Sequence, residues 1–158
     1  MPSIKRWNRI TVRSCTSHDQ KGRDPVVSLI SQRPIAQTRR LNIRQVTLDD
    51  AAFALQLLNE PSWIEFIGDK NVHSIADAQA YLRDGPIHMY QQHGCGLYLV
   101  EILDTQRPIG LCGLIKRDTL DDIDLGLAFM PSHWGAGYAR EAAAAVLAFG
   151  REQLQLAR

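Results

Sequence analysis

The stretch from Met130 to Val146 constrains this chain more than any other. A strand-like run, Ile123 to Phe129, ends at a proline, a turn with Gly135 and Gly137 follows, and then a long alanine-rich helix. Strand, glycine turn and helix N-terminus together build a socket for phosphate. Glycine lets backbone approach an anion closely, and the first N–H groups of a helix have no partner within it. The helix dipole adds favourable potential at the same point. A phosphate-bearing cofactor is therefore implied by local chain alone.

The kind of phosphate site follows by comparing patterns. A dinucleotide turn requires G-x-G-x-x-G with an acidic residue about twenty positions on. Gly135 and Gly137 fit, but the third position is Arg140. A P-loop requires Gly-Lys followed by Ser or Thr, and the chain has no Lys-Ser or Lys-Thr pair. What Trp134-Gly135-Ala136-Gly137-Tyr138-Ala139 resembles is the pyrophosphate loop of the GNAT N-acetyltransferases, Gln/Arg-x-x-Gly-x-Gly/Ala. Trp134 stands where that family usually has Gln or Arg. The resemblance continues upstream. Thr38 to Arg44 with Leu48 to Ala51 looks like the first strand and helix of the RimJ/RimL-like branch. Ile109 to Ile115 is similar to its third strand, and Asp124 to Phe129 to its fourth. Together these segments span residues 38–158.

The rest of the sequence agrees with one α/β (α+β) domain. Leu41 and Ile43 alternate with Asn42 and Arg44 as in a strand. Thr47 and Asp50 form a capping-box pattern, and Leu48, Ala51, Leu55 and Leu58 stripe the helix that follows. Glu60-Pro61 reads as its stop, and Trp63 to Ile67 as a short apolar segment. Ser74 and Asp77 mark another helix start. It runs to about Arg83, breaks at Gly85-Pro86 and resumes to His93. Leu97 to Ile102, Pro108 to Ile115 and Ile123 to Phe129 read as strands joined by hairpins, hence antiparallel. The last helix is expected from Tyr138 or Ala139 to about Leu156. The fold class is a mixed, mostly antiparallel sheet flanked by helices, as in the GNAT acyltransferase fold.

Charge divides the chain. Residues 1–40 carry nine Lys and Arg against two Asp and Glu, and residues 41–158 carry nine against fifteen. The acidic balance of the second part argues against nucleic acid as its ligand. Residues 1–37 read as a basic, disordered extension, residues 1–34 adding nothing to the fold. A basic binding arm and a targeting peptide are the alternatives. Three widely spaced cysteines show neither a disulfide framework nor zinc spacing, which suits a reducing cytoplasm. No apolar run approaches the ~18 residues of a membrane span.

The resemblance implies the chemistry. Acetyl-CoA would be the acetyl donor, and the acceptor an amine, either a protein N-terminus or a small molecule. The backbone N–H groups of Gly135, Ala136, Gly137, Tyr138 and Ala139 would hold pyrophosphate, with Trp134 covering the cofactor or the sheet edge. In the family the strand ending at Phe129 and Met130 splays from its neighbour. Its free backbone groups there bind the pantetheine arm, and an N–H near Phe129 polarises the thioester. Asp124 falls where many members carry a general base; its other reading is an exposed strand carboxylate. His133 reads as a phosphate contact or a solvated loop side chain, Asp121 and Asp122 as turn residues, and Cys112 as a small core residue. Glu141 suits the helix dipole or takes part in catalysis. No metal is expected, and a homodimer is left open. Family members continue with a fifth strand, a fourth helix and two further strands. The expectation is therefore a domain lacking its C-terminal strands and part of its acceptor site. The alternative function is a catalytically inactive CoA-binding or partner-binding fragment.

Overall fold

The computed structural model describes residues 33–117 and 123–155. Five strands form one antiparallel sheet in sequence order, β1 (Pro34–Gln37), β2 (Leu41–Gln45), β3 (Leu97–Ile102), β4 (Pro108–Lys116) and β5 (Ile123–Phe129). Helices α1 (Ala51–Leu58), α2 (Pro61–Phe66), α3 (Ile75–Leu82) and α4 (His88–His93) fill the connection from β2 to β3. Helix α5 (Tyr138–Gln153) follows β5.

Period-two alternation divides the core between the two faces of the sheet. Leu41, Ile43, Tyr98, Val100, Cys112, Leu114 and Phe129 point to α5 and pack on Ala142 and Val146. Leu99 and Leu111 point the other way, onto Ala54, Leu57 and Leu58 of α1 and Ala78 and Leu82 of α3. Small residues on α5 let that helix lie close to the sheet, as the alanine run implies.

Three sequence expectations are corrected. The extension read over residues 1–37 overlaps the fold, because Pro34–Gln37 pairs with β2. Proline occupies the first residue of this edge strand, where its missing N–H costs no ladder bond; residues 1–32 lie outside the described part. Pro61 does not only stop a helix. It sits at the first turn of α2, where a fixed φ favours initiation. The Gly85-Pro86 break is no gap in the helix either. Residues Arg83–Ile87 form a π-helical segment that carries α3 into α4, widening the spiral where Pro86 offers no donor. Gly94, at φ +70°, ends α4.

One polar knot fixes the sheet to the first helix. Arg44 donates to both oxygens of Asp50 (3.0 and 2.9 Å) and, through Nε and Nη2, to Glu101 Oε1 (3.1 and 2.8 Å). Asn42 Nδ2 donates to Glu101 Oε2 (2.9 Å), and the Thr47 N–H to Asp50 Oδ2 (2.7 Å). Asp50 and Glu101 are buried. Burial would lower the Arg44 pKa, but its bonds and charges with Asp50 and Glu101 reverse this and hold it above its ordinary value. Among the described residues no helix is long and apolar enough to cross a membrane.

Candidate functional site

The glycine turn between β5 and α5 is built by local chain geometry. The chain leaves β5 at Phe129 and makes a 3-10 turn, Pro131–His133. It enters α5 through Gly135 (φ +80°) and Gly137 (φ +84°). Both are left-handed, a conformation that a Cβ disfavours by roughly 1–2 kcal/mol. A Cβ on Gly135 would meet nothing within 4 Å, so the turn presents open backbone there. Glu141 N–H bonds the Gly137 carbonyl (3.1 Å) as α5 begins. Among the described residues, the N–H groups of Gly135, Ala136, Gly137, Tyr138, Ala139 and Arg140 have no backbone acceptor. These six N–H groups lie at the head of a 16-residue helix, where the first donors have no partner within the helix.

The strand leading to the turn has one open edge. Met130 N–H donates to the Ile109 carbonyl (2.9 Å), so alternate residues of β5 bond β4. By parity Leu125, Leu127 and Phe129 turn their backbone groups outward, where no strand pairs among the described residues. Trp134, half exposed, donates its indole N–H to the outward Phe129 carbonyl (2.8 Å). The Phe129 N–H beside it remains outward-facing.

A cluster absent from the sequence reading braces the turn from behind. Arg40, in the connection between β1 and β2, donates through Nη1 to the Ala136 carbonyl (2.9 Å). Its Nε donates to Glu141 Oε2 (2.8 Å), and Nη2 lies 2.6 Å from the same oxygen. Its guanidinium lies over the Tyr138 ring, 4.5 Å from the centroid. The Arg40 N–H and the Thr38 hydroxyl both donate to Glu141 Oε1. Desolvation pushes the Glu141 carboxyl upward, but the Thr38 and Arg40 hydrogen bonds and the Arg40 charge outweigh it and hold the group below its ordinary value. A depressed carboxylate contributes stability above its unfolded pKa and loses it as pH falls through the folded value. The brace is therefore complete at neutral pH and loosens only in acid. The sole local signal for it was Glu141 in the first turn; its partners lie about a hundred residues away.

The remaining residues singled out by sequence are placed as follows. Phe129, Met130 and Trp134 through Ala139 follow the chain from the end of β5 to the start of α5, with the Phe129 side chain buried in the core. Asp124 sits at the opposite end of β5, roughly 16 Å from Phe129 at about 3.3 Å per residue. It is not the exposed carboxylate considered above: it is buried and forms an ion pair with Arg117, 3.2 Å from Nε. His133 is half-buried, its Nδ1 3.0 Å from Ser132 Oγ and its ring 6.2 Å from that of Tyr138. Cys112 is a buried core thiol. Asp121 and Asp122 lie outside the described residues. Among the described residues no three His, Cys, Asp or Glu side chains form a metal-binding group.

Comparison with known proteins bears on this geometry. The model of the acetyltransferase (GNAT) domain matches residues 40–158. YoaA of Bacillus subtilis, named an uncharacterized N-acetyltransferase, is 29% identical over 128 residues, covering 79% of this chain and 71% of the relative. Among solved structures, an acetyltransferase from Agrobacterium tumefaciens superposes with a TM-score of 0.66 at 22% identity, over 77% of this chain and 68% of that one. The aminoglycoside acetyltransferase AAC(6')-Ib, solved with coenzyme A, has a TM-score of 0.53 at 21% identity, over 71% of this chain and 68% of that one.

Proposed function

The chain belongs to the GNAT acetyltransferase family, and from that membership we propose that it transfers the acetyl group of acetyl-CoA to an amine by direct attack. The observation that carries this reading is the turn from Gly135 to Ala139, with left-handed glycines and free N–H groups at a helix start. A cofactor ending in phosphates fits it, because backbone donors without a Cβ between them can meet several oxygens at once. Acetyl-CoA supplies a thioester reactive enough for an amine to attack without a covalent enzyme intermediate.

The chain's own groups do the rest. The N–H groups of Gly135, Ala136, Gly137, Tyr138 and Ala139 would bind the pyrophosphate. The outward edge of β5, with Phe129 and Met130 at its end, would hold the pantetheine arm as an added strand. An outward N–H near Phe129 would then face the carbonyl oxygen as negative charge develops. Trp134 leaves that N–H open while occupying the neighbouring carbonyl. Asp124, roughly 16 Å along β5 from Phe129 and buried against Arg117, lies beyond the reach of one water from an amine attacking there, so the ammonium proton would leave to solvent or to another group. The acceptor would be a protein N-terminal amine or a small-molecule amine. The proposed compartment is the cytoplasm. Burial pushes the Cys95 and Cys112 thiols up to about 11 and about 12, keeping both protonated and free, which suits it.

Two measurements test the reading. Calorimetric titration with CoA should give saturable binding, and Gly137→Val should weaken it ~10-fold or more, that is ~1.4 kcal/mol. Valine at φ +84° is strained, and its Cβ would stand 3.5 Å from Arg40 Nη2. Unchanged affinity in a folded variant would remove the turn from the site. Asp124→Asn should leave the pH–rate profile of CoA release with an accepted amine unchanged, because its carboxylate lies beyond the reach of one water from Phe129. A selective loss of rate at pH values where the amine is still protonated would restore Asp124 as the base.

A further inference from the structure

We infer that Arg40 is the positioning residue of the phosphate turn, aiming its backbone donors and cancelling the charge of Glu141 beside them. The inference rests on the cofactor reading above and adds a side chain from the far end of the sequence.

The aiming follows from peptide geometry. In a trans peptide the C=O and the following N–H point in opposite directions. Arg40 Nη1 holds the Ala136 carbonyl at 2.9 Å, so the Gly137 N–H is turned away from Arg40. On the next peptide, Glu141 N–H holds the Gly137 carbonyl at 3.1 Å, which turns the Tyr138 N–H the opposite way. Two glycines alone would leave this segment free to sample many shapes. Arg40 anchors one of its two central peptides, and the helix itself anchors the other.

Arg40 also acts through its charge. Glu141 sits in the first turn of α5 and draws on the same helix potential that a phosphate would use. Unpaired, it would repel an incoming anion. Arg40 binds it through Nε and Nη2, and Thr38 and the Arg40 N–H occupy its other oxygen. Every nitrogen of the guanidinium is engaged, and its plane rests on Tyr138. A lysine ammonium could not reach the carbonyl, the carboxylate and the ring together. The Arg40 side chain is 41% exposed, so an ion pair there adds little to global stability. Its loss should be read in ligand affinity far more than in melting temperature.

The experiment is CoA titration by calorimetry at low salt, with melting curves alongside. Arg40→Ala should raise the Kd ~30-fold, as loss of charge-assisted bonds does. Its melting temperature should fall by about 2 °C or less. Adding Glu141→Gln to that variant should recover part of the affinity, because the uncompensated charge is gone. Arg40→Lys should bind more weakly than wild type and more tightly than Arg40→Ala; if Arg40→Ala does not fold, Arg40→Lys decides. A Kd unchanged within about twofold in the folded variant, or no recovery with Glu141→Gln, overturns the inference. Wild-type chain that binds no CoA strikes the proposed function itself, whereas wild-type binding that ignores Arg40 strikes only this inference.

Discussion

Arg44→Met should remove about 3 kcal/mol of stability, the lower end of what losing one partner of a buried ion pair costs. Methionine fills similar volume, so the loss is one of charge and hydrogen bonding. Arg44 is the shared cation of two carboxylates, with side-chain exposures of 16% for Arg44, 9% for Asp50 and 7% for Glu101. Without it Asp50 keeps the Thr47 N–H and Glu101 keeps the Asn42 amide. Two near-buried negative charges would then face one another uncompensated. Arg44→Lys should fall between, because one ammonium cannot serve both oxygens of Asp50 and also reach Glu101. Urea unfolding measures it, and a loss below about 1 kcal/mol would show that the knot contributes register and not stability.

Gly113→Ala should destabilise by a similar amount, about 3 kcal/mol, lowering the melting temperature by roughly 10 °C. Gly113 lies opposite Leu97 in the β3–β4 ladder. A Cβ there would stand 1.9 Å from the Gly96 carbonyl oxygen, 2.6 Å from Leu97 Cα and 2.8 Å from the Gly96 carbonyl carbon. All three are backbone atoms, so no rotamer change relieves the clash. The Gly96 carbonyl is also held by the Leu114 N–H (3.0 Å). The two strands would have to separate in the middle of the sheet. Because β4 carries β5 and the turn that follows it, CoA affinity should fall together with stability. A melting temperature within about 2 °C of wild type would mean that the ladder yields more easily than its contacts imply.

These two sites differ in how much of them can be read from sequence. The glycines of β4 stand in an apolar run and mark a close approach, but nothing local says that Gly96 is what approaches. Asp50 read as part of a capping box with Thr47, Arg44 as the polar face of a strand, and Glu101 lay within the strand Leu97 to Ile102. They become one knot because β2 pairs with β3 so that Asn42 faces Glu101 and Arg44 faces Leu99. Asp124 shows the same limit: as a sequence position it was an exposed carboxylate or a base, and its burial beside Arg117 depends on a hairpin partner.

What the sequence determined by itself was whatever short-range forces decide. The runs Leu97–Ile102 and Ile123–Phe129 fell where apolar patterning placed them. The start of α3 fell at Ser74, whose hydroxyl accepts the Asp77 N–H at 3.1 Å. The glycine turn was legible for the same reason: strand end, left-handed glycines and helix start lie within ten residues of each other. Tertiary structure alone decided β1, the continuity of α3 into α4 through a π segment, and the brace behind the turn. A four-residue edge strand with a proline has too little intrinsic preference to announce itself without β2 and α5 to pack against. Arg40 reaches Glu141 across 101 positions. Distances of that kind are set by how the sheet brings its strands together, and no local pattern encodes them.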